Sequence, residues 1–532
     1  MQSRAAGFSG CAAIPLSPAA RGVVGADSWG SERMAFIGLD VGTTGCKATV
    51  IDRGGKVLAY AYQEYAPIFP GKGLAELDAN LVWESIQTVL GKAAAESGAQ
   101  IEAIAAASFG EVFVSLDEND RVLGNSMLYT DERGTEMEGA IAQKISGKAL
   151  YDVVGVPLSG MYTLAKLLWT KAHTREYDQA KHIMLFGDYV TYKLTGQRRI
   201  DYALASRTSL LDVRKKAWAT DIANLFGIDT DKFSQPIAPG EIIGEVLPSV
   251  AETVGLPKNT VVVAGAHDQI CAALGAGVLK EGDCVDGMGT SECITTILSD
   301  TDNTEGLLKN SFCVEPYVIP DKYVTLAFHF CAGATIDWHR KTIDKERNAS
   351  FKREGKDIHA AMEAEAPDGP TSLFVVPHMA GTGTPHMDAA ASGAILGIKL
   401  GTQRGEIYKA CLEGICFEIM LNARLLEDMG SRISSLMCVG GVSQSDMLLQ
   451  IKADIMGIPV SRLQFKEAGT MALAMLGFTA TGAFSGLEEA AKTMVKPERT
   501  FEPDMANHAR YIERYEMYQR IYGNIKRIYE GG

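Results

Sequence analysis

An uninterrupted apolar run at 35–39 (Ala-Phe-Ile-Gly-Leu) leads straight into Asp40-Val-Gly-Thr-Thr-Gly-Cys-Lys47. The run reads as a buried strand that delivers a carboxylate and a Gly/Thr turn to its C-terminal end. In such a turn, backbone N–H groups and hydroxyls can face a phosphate, while the aspartate can hold Mg²⁺ through water. Asp-x-Gly is also a common exit from a strand, so the motif alone leaves a plain turn open. A second copy stands far along the chain, Asp286-Gly-Met-Gly-Thr-Ser291, behind the strand start Gly282-Asp-Cys-Val285. Two strand-turn phosphate loops predict a duplicated fold that closes on one nucleotide from both sides.

Strands and helices alternate between the loops. Residues 48–51 and 57–62 read as strands joined by an Asp/Gly turn, and 101–107, 112–116 and 261–265 as three more. Asp78 is placed to cap a helix running to about Glu96, with Leu81, Val82, Ile86, Val89 and Leu90 on one face. Segments 163–171 and 183–194 read as helical. Beyond 280–283 the pattern restarts, with strands near 284–286 and 293–298, a long helix at 405–428, and a strand at 436–439 before Gly440-Gly441. Ser443 is expected to cap a helix carrying Met447, Leu448, Ile451 and Ile455. A last helix starts near Glu467, and Leu487 onward reads as a peripheral helical tail. These signals predict an α/β chain of two domains, 34–282 and 283–532. Residues 1–33, rich in Ala, Gly, Ser and Pro, read as an upstream extension, with an organellar transit peptide as the competing reading.

Composition removes several classes. A net charge of −14 leaves no basic stripe to displace phosphate counterions, which argues against a nucleic-acid partner. No apolar run approaches the roughly 18 residues a membrane span needs. The ten cysteines form no Cys-x-x-Cys pair, and no histidine cluster has zinc spacing. They read as reduced core thiols of a cytoplasmic protein without a structural metal.

Between the two loops lies Ala264-Gly-Ala-His-Asp268-Gln-Ile-Cys-Ala-Ala273. A strand ends there, and an aspartate opens an Ala-rich helix. An acid at that place can simply answer the helix dipole. With phosphate loops on both sides, Asp268 reads instead as a general base that accepts a hydroxyl proton as the oxygen attacks a γ-phosphate. His267 reads as a structural histidine pointing elsewhere. Gly440-Gly441 is either a plain turn or a place where backbone approaches a purine.

Further anchors fall in order: Trp83 after Glu76-Leu-Asp78, Tyr129-Thr-Asp131-Glu-Arg133, Lys166-Leu-Leu-Trp169, Asp201 with Ala205-Ser206-Arg-Thr208, Pro385-His386 and Leu412-Glu-Gly414. With the loops, Gly265-Ala-His-Asp268-Gln and Val439-Gly-Gly441, their order and spacing resemble the FGGY carbohydrate kinase family of xylulose, gluconate and glycerol kinases. The likeness runs from about Ala35 to about Ala483. It implies an actin-like ATPase fold, two ribonuclease-H-like domains flanking a catalytic cleft, with ATP and Mg²⁺ as cofactors. It also implies roles. Asp40 would organise the metal, Thr43, Thr44 and Lys47 would hold phosphates, and Gly289 and Thr290 would touch them from the second domain. Gly440, Gly441 and Gln444 would line the adenosine site. Asp268 would be the base, with Gln269, Glu111 and Tyr129 reading acceptor hydroxyls.

The resemblance implies a sugar or polyol acceptor, foremost a pentulose such as xylulose. Glycerol, erythritol and aldonates remain as alternatives, as do an actin-like ATPase without an acceptor and a silent sugar sensor. Glycerol kinases carry Gln-Arg-Glu where this chain has Phe109-Gly110-Glu111, so the acid matches and the arginine is missing. Met161 stands where glycerol kinases have tyrosine, and Tyr129 where tryptophan is common. The resemblance also implies a possible homodimer through the second domain, but no patch in this sequence marks such a surface.

Overall fold

The strand and turn read at Asp40 form, and the next strand folds back on them as a hairpin. In the computed structural model, which describes residues 34–530, strands β1 (Met34–Val41) and β2 (Gly45–Asp52) pair antiparallel with Asp40 opposite Lys47. The leader expected over 1–33 lies outside the described residues. Strands β3 (Val57–Glu64), β4 (Gln100–Ser108), β5 (Ile242–Glu245) and β6 (Val261–His267) complete a six-stranded sheet of order β5-β6-β4-β1-β2-β3. Helix α1 (Ala79–Ser97) covers it, capped by the Asp78 carboxylate, which accepts from the Asn80 N–H at 2.9 Å. Val82, Ile86, Val89 and Leu90 form its buried face, as helical periodicity requires, while Leu81 is exposed.

A second sheet repeats the plan. It contains β7 (Asp283–Met288), β8 (Glu292–Ile297), β9 (Glu315–Pro316), β10 (Tyr323–His329), β11 (Ser435–Val439), β12 (Val460–Leu463) and β13 (Pro497–Phe501), in the order β9-β10-β8-β7-β11-β12-β13. Each sheet has an antiparallel meander (β3-β2-β1 and β10-β8-β7), two strands parallel to the meander's inner strand (β4, β6 and β11, β12), and an antiparallel edge (β5 and β13). The duplication read from the two loops is therefore a duplication of sheet topology.

Helices α2 (Asp268–Gly275), α3 (Gly333–Thr342), α4 (Arg404–Asp428), α5 (Asp446–Met456) and α6 (Ala468–Ala480) follow in the chain. The α2 and α6 helices share one core with both sheets, in which Phe36, Val263, Ile270, Leu274, Val285 and Leu473 are buried together. The Phe36 and Phe478 rings lie 4.0 Å apart. Each such side chain contributes about 1.5–3 kcal/mol by leaving water. This shared core is the floor of the cleft between the sheets.

Three local readings are corrected. Segment 183–194 is not one helix: strand His182–Leu185 precedes helix Phe186–Thr195, because a four-residue apolar run is too short to declare its period. Ser445, not Ser443, caps α5, accepting from the Leu448 N–H at 3.1 Å. The C-terminal tail is not peripheral. It adds the edge strand β13, and helix α7 (Met505–Tyr518) buries Tyr511, Tyr515 and Tyr518 in the second domain's core.

Candidate active site

The site residues gather where parallel strands end. Strands β1, β4 and β6 run parallel, with Val41 and His267 both in register with Ser108. Asp40 and the 42–44 turn therefore leave β1, Glu111 leaves β4, and Asp268 leaves β6 at the same edge. Across the cleft the pattern repeats: β7 and β11 are parallel with Gly287 beside Val439, so Gly289-Thr290 and Gly440-Gly441 emerge side by side. Loops at the carboxyl ends of such strands are where open α/β sheets place ligands.

The two turns close alike. The Gly42 N–H donates to the Gly45 carbonyl at 2.9 Å, and the Gly289 N–H donates to the Ser291 carbonyl at 2.9 Å. Tyr65 pins the first turn by donating its hydroxyl to the Gly42 carbonyl at 2.6 Å. Thr44 and Thr290 are exposed and Thr43 partly so. The start of α3 docks on the second turn, with the Ala332 and Gly333 N–H groups donating to the Thr290 and Gly289 carbonyls, each at 3.0 Å. Beside that turn, Gly289, Thr290, Gly441 and Gln444 line a cavity of about 550 Å³ together with Asp337 and Tyr408. Gly440 has φ +94°, and a Cβ there would meet the Met288 carbonyl at 2.4 Å. Only glycine permits β7 and β11 to end this close together.

On the opposite wall, Lys47 Nζ lies 2.9 Å from Asp40 Oδ2 and 2.5 Å from Glu467 Oε2 at the start of α6. Burial opposes the Lys47 charge, but the two carboxylates outweigh it and raise its pKa. Asp268 is the first residue of α2, with 30% of its side chain exposed. Loss of solvation and then the Asp40 charge push its pKa up to about 7, against the pull of the Gln269 N–H and Arg207. Tyr129 is half-exposed, and its hydroxyl is pushed up by burial and by the Asp268 charge. His267 does not point elsewhere: Nε2 lies 3.2 Å from Asp268 Oδ1, and Nδ1 lies 3.8 Å from Glu315 Oε2. Burial and the nearby Arg207 hold its imidazole well below the usual range.

Glu111 is buried, and its carboxylate is ion-paired to Arg207, whose other fork nitrogen holds Glu315. The missing arginine of the Phe109-Gly110-Glu111 segment is thus met in space by one from a distant part of the chain. Nothing along the sequence assigns a site role to Arg207, Glu315 or Glu467. Asp286 also differs from its expected place. Counting back from the turns, Asp40 corresponds to Gly287, and Asp286 faces inward to the fully buried Lys452, which also holds Glu292. Burial opposes the Lys452 charge, yet the two carboxylates keep it protonated. His329 Nε2 lies 2.6 Å from Glu292 Oε2 and completes the cluster under the second turn.

Residues 35–275 match the N-terminal domain of the FGGY family of carbohydrate kinases, and residues 287–481 match its C-terminal domain. The chain is 30% identical over 494 residues to the xylulose kinase of Bacillus subtilis, covering 92% of this chain and 97% of that one. The chain belongs to the FGGY family of carbohydrate kinases. As an FGGY kinase it is a phosphotransferase. It is also 27% identical over 500 residues to the glycerol kinase of Lactobacillus acidophilus, covering 91% of this chain and 96% of that one. The crystal structure of the xylulose kinase from Rhodospirillum rubrum superposes with a TM-score of 0.85 at 23% identity, covering 93% of this chain and 100% of that one. The fold of this FGGY kinase is accordingly the two-domain, actin-like ATPase fold.

Proposed function

We propose that this kinase transfers the γ-phosphoryl group of ATP to a hydroxyl of a ketopentose, with xylulose as the acceptor. The observation that carries the reading is Asp268: a partly exposed carboxylate at the exit of β6, with its pKa pushed up to about 7. The xylulose assignment rests on the B. subtilis relative. Glycerol is the second reading, favoured by Glu111 beside an arginine and by the L. acidophilus relative.

In this reading ATP lies along the second domain, its adenosine in the cavity lined by Gly441 and Gln444 and its phosphates on the Gly289-Thr290 turn. The acceptor lies toward Glu111, Tyr129 and Gln269. Asp268 takes the hydroxyl proton as that oxygen bonds to the γ-phosphorus, and the bond to the ADP oxygen breaks. Lys47, Thr43, Thr44 and the turn N–H groups meet charge on the transferring group. Closure of the two domains excludes water, the competing acceptor.

Asp40 suits Mg²⁺: a partly exposed hard oxygen donor just before the 42–44 turn, paired with Lys47, with Asp268 close enough to feel its charge. Among the described residues no cluster of three or more His, Cys, Asp or Glu is arranged to hold a metal by itself. Mg²⁺ commonly takes one or two carboxylates and completes its shell with phosphates and water. When bound it would neutralise the β- and γ-phosphates. Nine described cysteines are free, which supports a cytoplasmic setting. Among the described residues no helix is long and apolar enough to cross a membrane.

Two outcomes follow, and a third experiment tests the acceptor itself. With Mg-ATP saturating, kcat/KM for the acceptor should climb about tenfold per pH unit below the pKa of Asp268, which burial raises above the ordinary carboxylate range, and level off above it, because only ionised Asp268 accepts the proton. A flat profile down to pH 5 contradicts the base assignment. Glu111→Ala should raise the acceptor KM about 5- to 150-fold, the range for losing one buried charged partner, and leave the ATP KM within about twofold. Steady-state kinetics checks this, and an effect confined to ATP removes Glu111 from the acceptor site. ADP release with xylulose, gluconate, erythritol and glycerol tests the acceptor directly, and equal rates with all four sink the ketopentose reading.

A further inference from the structure

We propose that Arg207 is a positioning residue of the acceptor site: anchored from the second domain by Glu315, its guanidinium sets the carboxylate of Glu111 and so governs acceptor affinity. This rests on the reading of Glu111 as an acceptor residue. Arg207, Glu111 and Glu315 are all buried, and both terminal nitrogens of the guanidinium are taken, Nη2 by Glu111 Oε1 and Nη1 by Glu315 Oε1. The guanidinium also lies 5.0 Å from the Tyr162 ring centroid.

The end of β4 is shaped around this arginine. A Cβ on Gly110 would lie 2.8 Å from Arg207 Cγ and 3.0 Å from its Cβ, so the glycine leaves the room that the arginine fills. Glu111 itself has φ +65°, a conformation that side-chain-bearing residues rarely adopt. It is clamped at both ends: Arg207 holds the carboxylate, and Thr163 donates its hydroxyl to the Glu111 carbonyl at 2.8 Å. Strain held by over-determined contacts is characteristic of ligand clamps. Stability alone is a poor reason for the triad, since well-packed apolar residues replace buried ion pairs with little loss or even a gain. Glu315 Oε2 also lies 3.8 Å from His267 Nδ1, and His267 Nε2 lies 3.2 Å from Asp268 Oδ1, so the triad sits beside the base without a hydrogen bond between Glu315 and His267.

The test uses the full chain with D-xylulose as the acceptor probe. R207K keeps the charge but loses the fork that spans two carboxylates. It should raise the acceptor KM tenfold or more while the Kd for Mg-ATP, measured by equilibrium titration, stays within twofold. A merely structural role would instead weaken both ligands together. E315Q, which touches no acceptor, should raise the acceptor KM in the same direction, and G110A should do so by displacing Arg207. The inference is overturned if R207K and E315Q leave the acceptor KM within twofold while E111Q raises it, and in that case the acceptor reading stands. If E111Q also leaves it unchanged, both fall. Should R207K fail to fold, E315Q and G110A decide alone, and unchanged acceptor KM in both overturns the inference.

Discussion

Asp268→Asn is expected to lower kcat by on the order of 10²–10⁴-fold with Mg-ATP affinity unchanged. At about 1.36 kcal/mol per factor of ten, that is roughly 3–5 kcal/mol of lost transition-state stabilisation. Asparagine keeps the shape and the place at the start of α2 but cannot accept the proton. Stability should move the other way. The folded-state pKa of Asp268, about 7, lies above its ordinary value of 3.8. The stability it contributes is therefore full below pH 3.8 and is lost as pH rises through 7. Above pH 7 the parent carries a desolvated charge that the variant lacks, so the variant should melt no lower than the parent. A variant that turns over normally refutes the base. One that melts well below the parent would make the kinetic loss a folding defect.

Lys452→Met is expected to be the most damaging single change to the second domain. It removes the lysine that contacts both Asp286 and Glu292 and leaves two buried carboxylates, one beside the Cys438 thiol and the other beside His329. Breaking a buried pair this way costs about 3–5 kcal/mol. A typical fold has only about 5–15 kcal/mol in total. Because Asp286 lies on β7 and Glu292 begins β8, the damage falls on the two strands that carry the Gly289–Ser291 turn. Denaturant midpoint and Mg-ATP affinity should therefore fall together. Adding Asp286→Asn should recover part of both, since it removes one of the stranded charges. Unchanged stability in Lys452→Met would mean that the cluster holds nothing in place.

What could be read along the chain was local. The strand and turn at Asp40, the capped α1 and the strand-to-helix junction at Asp268 each rest on neighbours within a few residues, and each formed. The repeat of the turn was legible too, but the apparent repeat of its aspartate was not: strand alternation sends Asp286 to the opposite face from Gly287. Lys452 left a usable sign, since it stands four residues after Leu448 on the apolar face of α5 and must find buried partners. Arg207 left none. Its partners are 96 and 108 residues away, and only the folded chain brings them together. The edge strand β13 was equally silent, because four of its five residues are exposed and no alternation marks it.

The most direct test follows phosphorus. With the full chain, Mg-ATP and xylulose, ³¹P NMR should show a sugar phosphate ester rising in step with ADP while inorganic phosphate stays flat. Phosphate appearing as the free anion, or ADP forming at the same rate without xylulose, would contradict transfer to a sugar hydroxyl in this cleft.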